Sequence, residues 1–450
     1  MCDLPLDKHA SKSCSNGKPF NPGDAVDYEH FLECVHCGLC TTSCPTYTEL
    51  DDENEGPRGR IYLMRAVADG RLEVSPRLQE HLHLCLDCRA CETACPSGVH
   101  YGRLIEPFRL YMEEKEIEES LVKRFDWFRE IVLFQLFPYA KRMRLALAPV
   151  KIAQQLGIYG LIERLGLLKL VPGRMGHMVT LLPRLKNGGP TLPKFLPAKG
   201  RRRARVAFFV GCVADVMFRH THWATLRVLQ ENGCDIVIPD GQGCCGAIHY
   251  HAGSSEGARK DADINLAAFD LDDVDAVIVN HAGCGAMMKE YGLHWQDENQ
   301  AARQRFADKV RDVNEFLDEL GLIPPSGKID VTATYHDACH LAHAQKVVSP
   351  PRRLLAQIPQ LEVRDLPETE ICCGSAGTYN LNHAEMASQL SERKLHNIRS
   401  TGAKIVLASN AGCLLQIARE VRQSKEPVLV MHPMDLLDMS YRGEQPELPK

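Results

Sequence analysis

The chain lacks the markers of several large function classes. No run reaches the roughly 18 uninterrupted apolar residues that a membrane span needs, and the opening MCDLPLDKHASKSCSNGK has no apolar stretch behind a basic start. A membrane-spanning or exported protein is not expected, which makes the reducing cytoplasm the expected compartment. Aromatic residues are only 6% of the chain, and 53 Lys plus Arg against 58 Asp plus Glu leave a net charge of −5. Neither a global polyanion-binding charge nor the interleaving of basic and aromatic residues used on nucleic acid is present, so no nucleic-acid partner is expected. There is no P-loop, no nucleophile elbow and no H-E-x-x-H, the signatures of nucleotide triphosphate, serine hydrolase and zincin sites. At 450 residues the chain has room for two to four packed domains without disulfide staples.

What the chain has in excess is cysteine, 19 in all. In a reducing compartment such an excess points to metal or redox chemistry. Sixteen of them fall into two sets of eight, Cys34 to Cys95 and Cys212 to Cys413, leaving Cys2, Cys14 and Cys234 outside any pattern. No cysteine lies between Cys95 and Cys212, which marks a boundary.

The second set repeats. Cys212, Cys244-Cys245 and Cys284 recur as Cys339, Cys372-Cys373 and Cys413 at offsets of 127, 128 and 129 residues. In each copy short β-rich runs (RVAFFVGC, DIVIPD, DAVIVNHAGC; VTATYHDAC, LEVRDLP, KIVLASNAGC) alternate with helical stretches such as SSEGARKDADINLAAF. That alternation predicts parallel α/β units, whose ligands gather at the carboxyl ends of strands, where these cysteines sit. The first set lies in a segment that reads as mostly helical: GPRGRIYLMRAVADG has Pro57 at a helix start, Ile61, Met64 and Val67 on one face and Gly70 as a stop. The expected fold is α+β and multidomain. It comprises a helical, ferredoxin-like cluster domain over 25–110, a helical and basic linker over 111–204, and α/β cysteine-rich repeats over 205–325 and 326–440. From Lys141 to Arg205 the linker holds 15 Lys or Arg and only Glu163 as an acid, ending in Arg201, Arg202, Arg203 and Arg205. Its two readings are a solvated connector and a basic face for peripheral contact with an acidic membrane surface or subunit.

Cys34, Cys37, Cys40 and Cys44-Pro45 form C-x2-C-x2-C-x3-C-P, and Cys85, Cys88, Cys91 and Cys95-Pro96 form it again. This is the spacing for two [4Fe-4S] clusters, in which the fourth cysteine of each motif ligates the other cluster. The expected ligand sets are Cys34, Cys37, Cys40 and Cys95 for one cluster, and Cys44, Cys85, Cys88 and Cys91 for the other. Zinc would leave the third cysteine of each run unexplained. With four thiolates per cluster neither is short of a ligand, so electron transfer is expected and no catalytic residue is assigned. His36, His81 and His83 are candidates for tuning the clusters through hydrogen bonds to sulfur. The repeats' thiols could hold a further metal or cluster, form a redox dithiol, or simply pack; His336, His340 and His343 near Cys339 are candidate ligands or proton carriers. Gly241, Gly243 and Gly246 match G-x-G-x-x-G, but Cys244 and Cys245 occupy the variable positions, and the cysteine motif explains the string better than a dinucleotide site does.

The strings ECVHCGLCTTSCPTYTEL, GPRGRIYLMRA and HLHLCLDCRACETACPSGVHYGRLIEP, together with the later GCCGAIHYH, HAGCGAMMKEYG, HLAHAQK, ICCGSAGTYN and SNAGC, closely resemble the iron-sulfur subunits of glycolate oxidase (glycolate dehydrogenase). The resemblance implies an electron-transfer subunit that relays electrons from flavin-binding subunits, which oxidise glycolate to glyoxylate, toward a quinone or other acceptor. It implies the same eight N-terminal cysteines as ligands. Lactate or glycerol 3-phosphate complexes are alternatives, because the substrate binds on another chain. The repeats resemble the cysteine-rich domains of heterodisulfide reductase, and a catalytic role of that type is the other alternative. Against it, Met287 and Gln416 stand where that family ends its motif in C-x2-C. No flavin or nicotinamide fingerprint occurs, so the chain alone is not expected to oxidise glycolate.

Overall fold

In a computed structural model the described residues are 22–119, 126–166, 171, 173–185 and 189–449. Cys2 and Cys14 lie outside them. The N-terminal part is built of helices over Glu29–Leu32, Pro45–Leu50, Pro57–Ala68, Pro76–His83 and Gly102–Glu119. Pro45, Pro57 and Pro76 each occupy the first turn, where a missing N–H costs nothing and φ is already helical. Phe31, Met64, Leu82, Leu104 and Phe108 are fully buried between these helices. Together they form the small core that holds the cysteine loops.

The repeats are parallel α/β units, as the alternation predicts. The first sheet has β1 (Phe195–Leu196), β2 (Ala204–Phe208), β3 (Cys234–Val237), β4 (Ala276–Val279) and β5 (Val310–Asp312) in the order β1-β3-β2-β4-β5. The second has β6 (Val331–His336), β7 (Leu361–Arg364), β8 (Ile405–Ala408) and β9 (Leu429–Met431) in the order β7-β6-β8-β9. Without β1, a linker strand lying antiparallel on β3, the two orders coincide and all pairings are parallel. The period-2 alternation of a strand divides the packing: Val206 and Phe208 enter a core shared by both sheets, with Ala333, Tyr335, Ile405 and Leu407, while Ala207 and Phe209 face the thiols of the first repeat. Helix Arg219–Glu231 packs on helix Pro433–Arg442, and Arg227 of the former pairs twice with Asp438 of the latter, at 2.7 and 2.6 Å. The two repeats thereby pack together over a shared core.

The linker contributes helices Ala140–Gln155, Ile158–Arg164 and Gly173–Leu181. Its terminal arginines are largely engaged within the fold: Arg202 faces Asp235 at 3.5 Å, Arg205 pairs with Asp273 at 2.6 Å, and Arg203 donates to the carbonyls of Leu320 and Gly321. Cys234, unassigned by pattern, is buried in β3 as a packing residue.

Candidate metal centre

Cys44 is the extended N-cap of helix Pro45–Leu50, with Pro45 at its first position. Cys34, Cys37, Cys40 and Cys95 line one pocket with Arg58 and Pro96, and Cys91 reaches its wall. Cys44 lies among Cys85, Cys88 and Cys91, close enough for their charges to act on one another. The two C-x2-C-x2-C-x3-C-P motifs therefore interleave, three thiols from one and the fourth from the other. Burial pushes Cys40 up to about 11 and Cys88 and Cys91 well above the ordinary thiol range, and the neighbouring thiols add to it. Thiols packed like this cannot all ionise unaided; cationic iron reverses the balance, so the donor set fits iron-sulfur clusters.

The two groups differ in exposure. Cys37 is exposed and Cys34, Cys40 and Cys95 half-buried, whereas Cys44, Cys88 and Cys91 are buried and Cys85 half-buried. Around Cys37, Val35 is 67% and Leu39 60% exposed. This group faces outward. Cys88, by contrast, shares an apolar cluster with Cys339, Cys372 and Tyr379 of the second repeat, so the inner group sits against the repeats.

Two hydrogen-bond donors reach Cys85 Sγ, the Asp87 N–H at 3.3 Å and the Tyr101 hydroxyl at 3.7 Å. Such contacts raise reduction potentials. Behind them, the fully buried Arg60 donates to Glu55 Oε2 at 2.6 Å, to the His81 carbonyl at 2.8 Å and to Thr46 Oγ1 at 3.1 Å, tying the Cys44 loop to the helix that leads into Cys85. Neither Arg60 nor Tyr101 was evident as a site residue in the sequence, since neither lies inside a cysteine motif. His81, a tuning candidate, spends Nδ1 on Glu55 at 2.5 Å instead. His83 is held near 4 by burial and by Arg109, and lines the large cavity in front of the repeats. The His36 carbonyl accepts from Arg58 Nη1 at 3.3 Å.

The two cysteine sets of the repeats open on that cavity, of about 740 Å³, together with Cys85, and the linker closes it with Met143, Leu147, Met178 and Leu181. Within the first repeat Cys212 Sγ and Cys244 Sγ are 3.4 Å apart. Gly246 and Gly374, the glycines of the two Cys-Cys-Gly turns, have φ of +86° and +84°, and a Cβ there would meet the carbonyl oxygens of Ala258 and Ala387 at 2.9 and 2.6 Å. Only glycine fits both demands. The G-x-G-x-x-G match is thus a cysteine-presenting turn. Of the three histidines near Cys339, His340 Nδ1 lies 3.5 Å from its Sγ, and His343 bridges Thr93 of the cluster domain at 2.9 Å and the Glu370 carbonyl at 3.2 Å.

The cluster domain is locked to both repeats. Buried Arg89 contacts Asp87 at 2.9 Å, Glu106 at 2.8 Å and, from the first repeat, Glu290 at 3.5 Å. Despite burial, its guanidinium holds Asp87 well below the usual carboxylate range. Toward the second repeat, Arg393 pairs with Glu49 at 2.8 Å and Tyr379 donates to the Leu84 carbonyl at 3.0 Å. Sequence spacing carried no sign of these contacts.

Comparison with known proteins agrees with this layout. Residues 30–99 match the 4Fe-4S dicluster domain family, 206–289 and 333–418 the cysteine-rich domain family, and 125–182 the linker region of glycolate oxidase iron-sulfur subunits. The chain is 39% identical over 425 residues to the probable glycolate oxidase iron-sulfur subunit of Bacillus subtilis, covering 92% of this chain and 95% of that one. It is 35% identical over 423 residues to the glycolate oxidase iron-sulfur subunit of Escherichia coli, covering 91% and 94%. A crystal structure of a hypothetical protein from Helicobacter pylori shares the fold, with a TM-score of 0.51 at 10% identity over 87% of this chain and 69% of that one.

Proposed function

The chain belongs to the family of glycolate oxidase iron-sulfur subunits, and on that premise we propose that it is the electron conduit of a complex whose flavin-bearing partners oxidise glycolate to glyoxylate. The interleaving of the two cysteine motifs carries this reading. Cys34, Cys37, Cys40 and Cys95 hold one [4Fe-4S] cluster, and Cys44, Cys85, Cys88 and Cys91 hold the second. Bound there, the clusters supply one-electron steps between a two-electron flavin and the acceptor, a quinone or another carrier.

The chain's own residues set direction and access. The exposed side at Cys37, flanked by Val35 and Leu39, is where a partner subunit can come close enough for transfer. Inward, Arg60 and Thr46 hold the Cys44 loop in place, and Tyr101 and the Asp87 N–H stabilise negative charge on Cys85 sulfur. The core around Phe31 and Phe108 packs on Cys85 and Cys91 of the inner group and on Cys34, Cys40 and Cys95 of the outer one. The hydride acceptor and base for glycolate belong to the partner chains. The remaining exposed charge of the linker is the candidate surface for peripheral contact with an anionic membrane.

The test is anaerobic purification with iron and acid-labile sulfide analysis. About eight of each in the N-terminal sites is expected for two such clusters; a sulfide content near four or below contradicts the assignment. The purified single chain is expected to reduce no dye with glycolate. Full glycolate-dependent activity without partners would overturn the division of labour.

A further inference from the structure

The two repeats are alike in topology but not in the surroundings of their thiols. At the end of β6 the second repeat places His336, with no exposed surface, where the register of the repeat puts Phe209 in the first. His336 has a ring nitrogen, and Cys373 and Cys413 their Sγ atoms, all within 4.8 Å of one another, and all three residues are buried. Neither ring nitrogen of His336 meets a hydrogen-bond partner of normal geometry among the described residues; the Thr369 backbone approaches without closing one. A fully buried imidazole left unpaired is costly, because neither water nor protein replaces its lost hydrogen bonds. Its position beside two thiols gives that cost a purpose.

We propose that the second repeat, and not the first, holds a single thiophilic metal ion, of the zinc or ferrous type, ligated by His336, Cys373 and Cys413. The spacing suits one ion: zinc–sulfur bonds of about 2.3 Å set ligand atoms about 3.8 Å apart at the corners of a tetrahedron. The fourth corner faces the cavity that Cys373 and Cys413 line, where a water completes the tetrahedron. Both motif thiols release their protons to solvent on binding, as metal-bound cysteines do. Two further features favour an anionic centre here. Buried Lys394 lies beside Cys372 and Cys373, whereas the first repeat has Asn265 in the matching place, bonded to the Cys244 carbonyl at 2.8 Å. Asn410 Nδ2 donates to Cys413 Sγ at 3.6 Å. Its counterpart His281 turns instead toward the rings of His222 and His432, at 5.8 and 5.6 Å. His336 stands on the sheet side of the thiols while Cys373 and Cys413 line the cavity, which fits an ion that holds the inner wall of the cavity.

The experiment is metal analysis of the full chain, purified anaerobically, beside acid-labile sulfide. One zinc, or one iron in excess of sulfide, is expected per chain. His336→Phe, which copies the first repeat, and Cys413→Ser should each lose that equivalent with sulfide unchanged, while Cys284→Ser keeps it. His336→Cys should retain the ion with its absorption-edge fine structure shifted from two sulfur ligands to three, which separates ligation from general folding. Retention of the metal in His336→Phe, equal loss in Cys284→Ser, or loss of sulfide together with iron in His336→Phe would overturn the proposal. None of these outcomes alters the count expected at the eight N-terminal cysteines.

Discussion

Arg60→Met removes one guanidinium and tests whether that side chain holds the two halves of the cluster domain together. Arg60 and Glu55 expose only 1% and 7% of their side chains and meet at 2.6 Å. Met fills much of the volume, but it leaves the Glu55 carboxylate buried with only His81 at its other oxygen. It also strips a donor from the His81 carbonyl and from Thr46 Oγ1. Breaking a buried pair on one side costs about 3–5 kcal/mol. At 1.4 kcal/mol per tenfold, amides of helix Pro57–Ala68 should exchange hydrogen faster by roughly two to three and a half orders of magnitude in native-state exchange. Because the stranded charge makes up much of that cost, Glu55→Gln added to Arg60→Met should recover part of the protection. Acceleration of less than about threefold, or a double variant no better than the single, would refute the reasoning.

Three more outcomes are expected. Cys44→Ser should remove the cluster of the second motif and leave the Cys34 group's cluster, seen as loss of about half the acid-labile sulfide; selective loss of the first cluster would mean the motifs do not interleave. Val35→Glu with Leu39→Glu should weaken co-purification of partner subunits with cluster content intact, and unchanged co-purification would move the docking face elsewhere. His222 and His432 have no exposed surface, and burial holds both near 4 instead of 6.5. Their neutral forms support the fold fully above pH 6.5, and that support falls away as pH drops from 6.5 toward 4, by up to about 1.4 kcal/mol per pH unit for each. Denaturant midpoints should fall between pH 7 and 5; equal midpoints would contradict it.

The two α/β repeats were legible because strand-helix alternation and the cysteine offset are local patterns along the chain, and helix Pro57–Ala68 was legible from its proline start and apolar face. The grouping of Cys44 with Cys85, Cys88 and Cys91, and of Cys95 with Cys34, Cys37 and Cys40, is what the motif spacing leads one to expect. Arg60, Arg89 and Tyr101 were not legible in this way. Their roles arise from burial beside residues far along the chain, and an arginine that ends in a core carries no mark distinguishing it from a surface one. The two readings of the basic linker could not be separated in the sequence, because the acids that engage Arg202 and Arg205 lie in other segments, at Asp235 and Asp273. The different environments of His336 and Phe209 became visible only once two matching strands set them in equivalent places.

Whether electrons pass through this chain is most directly decided by freeze-quench paramagnetic resonance on the complete complex mixed anaerobically with glycolate. A reduced-cluster signal should arise after the flavin is reduced and before the acceptor is, and it should show spin coupling between two neighbouring clusters. Reduction of the acceptor at full rate while the cluster signals stay silent would contradict the role assigned to the chain.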